Sequence, residues 1–156
     1  MLKKSSTLVR LAVAALVLSA LALAAGFTFS IGSPVASQDF RFKTAVLALR
    51  TEGCAEPAKA QISGTAEGMV KGERRSVVLR VTAASKPGVY AVEQSWPAEG
   101  AWVVNLRGVC AGETAGALVP IGPKGFIRES SKFFSRPATG AEVDASLKTL
   151  VQGDNK

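Results

Sequence analysis

From about residue 42 onward, apolar residues recur in short runs separated by turn residues roughly every eight to twelve positions, a strand rhythm and not a helical one. Seven runs stand out: Phe42 to Arg50, Ala58 to Gly68, Arg75 to Ala83, Gly88 to Trp96, Ala101 to Val109, Gly116 to Gly122 and Gly125 to Ser135. The segments between them carry turn chemistry, with Gly53 and Pro57, Lys71-Gly72, Lys86-Pro87-Gly88, Pro97 to Gly100, Gly112 and Gly122-Pro123-Lys124-Gly125. The pattern predicts an all-β domain over residues 38–138, a seven-stranded immunoglobulin-like β-sandwich.

Both tryptophans and the only tyrosine fall between Tyr90 and Trp102. Tyr90, Val92, Gln94 and Trp96 alternate with Val89, Ala91, Glu93 and Ser95; after Pro97-Ala98-Glu99-Gly100, Trp102, Val104 and Leu106 alternate with Val103, Asn105 and Arg107. This predicts a hairpin whose aromatic faces enter the core, where large rings bury much area at small entropic cost. The rhythm then changes. Thr139 and Glu142 have capping-box spacing, and Val143, Leu147, Leu150 and Val151 share one helical stripe, predicting a short amphipathic helix over residues 139–152 that docks on its own domain.

Before the strands, Lys3, Lys4 and Arg10 precede an uncharged apolar run, the layout of a bacterial export signal. Ala22-Leu23-Ala24 and Val35-Ala36-Ser37 both offer the small residues of a cleavage site. The alternative is an uncleaved anchor through Leu11 to Phe29, holding residues 11–29 in the inner membrane. Either way residues 1–37 form the signal or anchor, and the rest is expected to be extracytoplasmic, periplasmic or secreted. No cysteine follows the apolar run at a lipobox position.

Charge and cysteines sharpen this picture. The formal charge of +7 falls to +4 once Lys3, Lys4 and Arg10 are set aside, and the remaining cations are scattered, so no nucleic-acid partner is expected. The two cysteines, Cys54 and Cys110, are most simply a disulfide in an exported domain. A metal or redox pair would want a CxxC spacing or histidine partners, and the chain has no histidine. The commonest general base is therefore missing too. Neither Ser130-Ser131-Lys132 nor Ser85-Lys86 has the spacing of a serine and lysine dyad, and the glycine-rich segments follow no phosphate-loop order. The expectation is a protein that is not an enzyme and has no cofactor.

Two stretches remain as a candidate partner surface: the cationic turn with Lys71, Arg74 and Arg75, and the aromatic segment with Phe126, Phe133 and Phe134, more rings than one strand face buries. From Val46 to Leu106, the succession of Gly53 to Pro57, Ala60 to Ile62, Pro87-Gly88-Val89-Tyr90, Trp96-Pro97 and Gly100-Ala101-Trp102-Val103-Val104 resembles exported bacterial immunoglobulin-like domains of the YtkA and FixH type. The resemblance implies a sandwich outside the cytoplasm, and in that group some members handle copper or assist oxidase assembly. The copper ligands do not carry over, because histidine is absent and Met69 is the only methionine after Met1. The expected function is a noncatalytic binding or accessory module at the cell envelope, its partner another envelope protein. The alternative is a copper-chaperone-like accessory factor for a membrane enzyme.

Overall fold

The computed structural model describes residues 26–34 and 39–153, and these form ten strands and one α-helix. In chain order the strands are β1 (Thr28–Gly32), β2 (Ala45–Glu52), β3 (Gln61–Val70), β4 (Glu73–Val78), β5 (Arg80–Ala83), β6 (Val89–Glu93), β7 (Ala101–Cys110), β8 (Glu113–Gly122), β9 (Gly125–Phe126) and β10 (Lys132–Phe134), followed by α1 (Gly140–Gly153). One sheet runs β1-β2-β6-β5, the other β10-β8-β7-β3-β4 with β9 also on β8, and every pairing is antiparallel. With β1 as strand A, this is the A-B-E-D sheet of an immunoglobulin-like sandwich facing C′-C-F-G. The chain is an all-β sandwich with a C-terminal helix.

Alternation builds the core between the sheets. Phe29, Ile31, Leu47, Leu49, Tyr90 and Val92 from one sheet meet Ala66, Trp102, Val104, Leu106, Ala117 and Val119 from the other in a single buried cluster. Two hairpins close with two-residue turns, Lys71-Gly72 and Ala111-Gly112, in which all four residues have positive φ. Those are the turns whose twist matches that of the flanking strands.

The strand count differs from seven for three physical reasons. The run Arg75 to Ala83 breaks at Leu79, whose backbone N–H donates to the Gly64 carbonyl at 3.1 Å, so β4 lies on one sheet and β5 on the other. The run Gly125 to Ser135 is interrupted by a 3-10 turn at Arg128–Ser130. Strand β1, assigned from sequence to the N-terminal segment ending at residue 37, pairs with β2 from Thr28↔Glu52 to Gly32↔Ala48 and buries Phe29 and Ile31. The domain therefore starts earlier than residue 38. The apolar run up to residue 25 and the Val35-Ala36-Ser37 alternative lie outside the described residues.

The expected tryptophan hairpin is also corrected. Strand β6 pairs with β2 and β5, while β7 pairs with β3 and β8, so Pro97 to Gly100 carries the chain from one sheet to the other. Alternation specifies which face of a strand is apolar, and two strands on opposite sides of one core satisfy it as well as two neighbours do. The rings still meet, with Trp96 and Trp102 centroids 6.5 Å apart and the Trp102 Nε1–H donating to the Glu99 carbonyl at 2.8 Å.

Strand β7 is buried on both faces. Its outward residues Ala101 and Val103, with Leu118 of β8, lie under Val143, Leu147 and Leu150 of α1. The helix has docked on its own domain as a third layer. Its start is the expected capping box: Glu142 N–H donates to Thr139 Oγ1 at 3.3 Å, and Thr139 N–H to Glu142 Oε2 at 2.8 Å.

Candidate interaction surface

The cationic turn is a set of ion pairs. Lys71 Nζ lies 3.4 Å from Glu99 Oε1, and Arg75 donates to Glu73 Oε2 at 2.7 Å. Arg74 donates to Glu67 Oε2 at 3.2 Å and to Asp144 Oδ1, joining the β3–β4 hairpin to α1. The Asp144 hydrogen bond raises the Arg74 pKa above its ordinary value, against the opposing effect of desolvation. Burial pushes Glu67 up, but hydrogen bonds from Thr65, Ser76 and Arg74 outweigh it and leave the carboxyl below its ordinary value. Each cation singled out in the sequence thus has an acid of its own chain beside it. The pairs at Lys71 and Arg75, solvent-exposed on both sides, contribute roughly 0–1 kcal/mol each.

The aromatic segment divides. Phe126 packs against the main core with the Arg128 guanidinium 5.5 Å from its ring centroid, and Phe134 packs under α1 with Arg136 at 5.1 Å. Phe133, opposite Ala117 on the edge strand β10, remains 43% exposed. Of the five residues expected to form a partner surface, Lys71, Arg74 and Arg75 each pair with an acid at one end of the β3–β4 hairpin and Phe134 is packed inward. Phe133 alone offers a large apolar contact.

Cys54, just past β2, and Cys110, the last residue of β7, are bonded to each other with their Cα atoms 5.8 Å apart, so the bridge joins the two sheets. Tyr90 closes the core nearby, its hydroxyl donating to the Ala60 carbonyl at 3.1 Å, and burial raises its pKa. Among the described residues no three of His, Cys, Asp or Glu converge as a metal site would require. Met69 lines a cleft with Arg74 and Asp144, apart from the bonded sulfurs.

Two carboxylates are held well below their usual range at points that fasten segments together. Asp39 accepts from the backbone N–H of Ser85 at 2.9 Å, its main stabiliser, and from Arg41 and the Ser85 hydroxyl, tying the segment before β2 to the β5–β6 turn. Glu142 sits at about 2, chiefly because Arg136 donates to both its oxygens at 2.9 and 2.8 Å, with Thr139 adding to this.

Clefts flank α1 on both sides. One, of about 520 Å³, is lined by Met69, Arg74, Asp144, Leu147, Lys148 and Val151. The other, of about 540 Å³, lies between α1 and the chain from β8 to β10 and includes Pro120, Ile127, Ser130, Lys132, Ser146 and Leu150. Pro120 suits its place: it has no N–H to offer, it falls between the stretches of β8 paired with β9 and β10, and its carbonyl accepts from Ile127 N–H at 2.8 Å. Sequence reasoning missed this second cleft, although a serine on an otherwise apolar helical stripe was its one visible trace. Among the described residues no helix is long and apolar enough to cross a membrane. Comparison with protein-family models, with curated proteins and with solved structures finds no match.

Proposed function

We propose that this chain is a noncatalytic binding or accessory module that works outside the cytoplasm at the cell envelope, where its partner is another envelope protein. The observation that carries the reading is the Cys54–Cys110 bridge joining the two sheets, since structural disulfides form and persist in oxidising compartments. The basic and then apolar N-terminal sequence supports the same location. Cleavage after Ala22-Leu23-Ala24 suits the fold better than cleavage at Val35-Ala36-Ser37, because the later cut would remove β1, leaving the edge of β2 unpaired and the core without Phe29 and Ile31. Phe133 on the edge strand β10 supplies an apolar contact of the kind that anchors a protein partner.

The test is a full-length fusion to a reporter phosphatase that folds only outside the cytoplasm, combined with thiol alkylation in intact bacteria. An active reporter and no alkylated cysteine are expected. An inactive reporter with both thiols free refutes the location and the reading built on it. A copper competition against a calibrated chelator separates the copper-chaperone alternative: tight uptake of one ion by the oxidised protein would replace the binding-module reading with that one.

A further inference from the structure

We propose that the cleft between α1 and the β8–β10 segment is a small-molecule site that takes an aliphatic carboxylate, with its tail between the helix and the sheet and its carboxylate at Lys132. The volume, about 540 Å³, lies within the range of small-molecule sites, roughly 300–1,000 Å³. Its apolar walls come from both sides: Pro120 and Ile127 from the β8–β9 end, Leu150 from the helix.

The polar groups in it are unspent. Ser146 lines the cleft and its hydroxyl makes no hydrogen bond to the described residues; since no buried side-chain oxygen among them lacks a partner, this hydroxyl is open to the cleft. A helical serine can satisfy itself on the carbonyl one turn back. Thr149 on the same helix does so, donating to Ala145 at 3.0 Å; Ser146 instead keeps its donor for the cleft. Lys132 is the second such group. Lys132, exposed on β10, is the one cation in the lining and, like Lys43, Lys86, Lys124 and Lys148, has no acidic partner among the described residues. Ser130 adds a third donor without a partner.

One cation and two hydroxyls beside an apolar trough match a singly charged headgroup carrying an alkyl tail. A phosphate ester would call for more positive charge or a forked guanidinium, which the lining lacks. An alkyl ammonium is repelled by Lys132. The ammonium supplies the charge-assisted contact, and Ser146 fixes the depth to which the headgroup enters.

The experiment is calorimetric titration of the purified, oxidised full chain with decanoate, acetate and decanol. Decanoate is expected to bind saturably, acetate not detectably and decanol more weakly than decanoate. Lys132→Gln should weaken decanoate by about ten-fold while leaving decanol unchanged, the loss of one charge-assisted contact. Thr149→Trp, at an exposed helix position on the cleft, should block both ligands without lowering the melting temperature. Lys124→Gln, a lysine outside the cleft, should bind like the wild type. No saturable uptake of decanoate, equal affinity for decanoate and decanol, or undiminished affinity in Lys132→Gln overturns the proposal. None of these outcomes bears on where in the cell the protein works.

Discussion

The contact between Gly68 of β3 and Trp102 of β7 makes a quantitative prediction about the core. The two residues face each other in the register, and a Cβ built on Gly68 would lie 2.3–2.6 Å from three carbons of the Trp102 indole. The indole is only 2% exposed and is held from its far end by the Glu99 carbonyl, so it has no free space into which to withdraw. Gly68→Ala therefore overpacks a fixed ring, which costs roughly 1–3 kcal/mol. Trp102→Ala removes the ring and leaves a cavity, costing roughly 3–5 kcal/mol. In that background the methyl of Gly68→Ala enters the cavity. It also removes the entropic disadvantage of a strand glycine, so it should be neutral or stabilise by up to about 1 kcal/mol. The coupling energy should thus be roughly 1–4 kcal/mol, well above the few tenths at which independent sites add. Urea unfolding of the oxidised protein measures it, with Trp96 as the fluorescent probe in both backgrounds. As a reference, Arg74→Ala breaks an exposed pair with Asp144 and one with the half-buried Glu67, which keeps its hydrogen bonds from Thr65 and Ser76, and should cost about 1 kcal/mol. If Gly68→Ala costs the same with and without the indole, the two residues do not touch in this way. If Arg74→Ala shifts the urea midpoint as far as Trp102→Ala does, Trp102 is not core.

Three further outcomes follow from other parts of the molecule. Thiol titration of unfolded, unreduced protein should find no free cysteine, and replacing both Cys54 and Cys110 by alanine should cost about 4 kcal/mol through loop-closure entropy while the sheets persist in circular dichroism. Ala111→Asn should raise stability by roughly 0.5–1 kcal/mol, since Ala111 sits at φ 49° and an Asn-Gly pair favours this turn; a lower urea midpoint would contradict the turn geometry. Because the folded pKa of Glu142 is lowered from 4.5 to about 2, its stabilising effect is complete above about pH 4.5 and is lost as pH falls toward 2. Melting temperatures of wild type and Glu142→Gln should accordingly differ most above pH 4.5 and converge near pH 2, and a gap that stays constant would place the Arg136 contact elsewhere.

Much of the architecture was legible because it rests on local rules. Period-2 alternation in Val46 to Arg50 and in Trp102 to Leu106 requires a strand with one face in a core, and Thr139 to Glu142 followed by an apolar stripe requires a capped helix. The turns at Lys71-Gly72 and Gly112 were visible because few residues tolerate positive φ. The pairing of Cys54 with Cys110 was legible by elimination, there being only two. What alternation does not encode is the neighbour. Whether Trp96 and Trp102 belong to one hairpin or to two sheets, and whether Arg75 to Ala83 stays on one sheet or changes at Leu79, depends on partners dozens of residues away. The tertiary structure also decided the charges. Lys71, Arg74 and Arg75 read as a cationic patch along the chain, and only folding brings Glu99 against Lys71 and Glu67 and Asp144 against Arg74, because ion pairing acts through space at a few ångströms. The same holds for the cleft beside α1, where Ser146, Lys132 and Pro120 come from three separate elements and become a site only when the helix lies on the sheet.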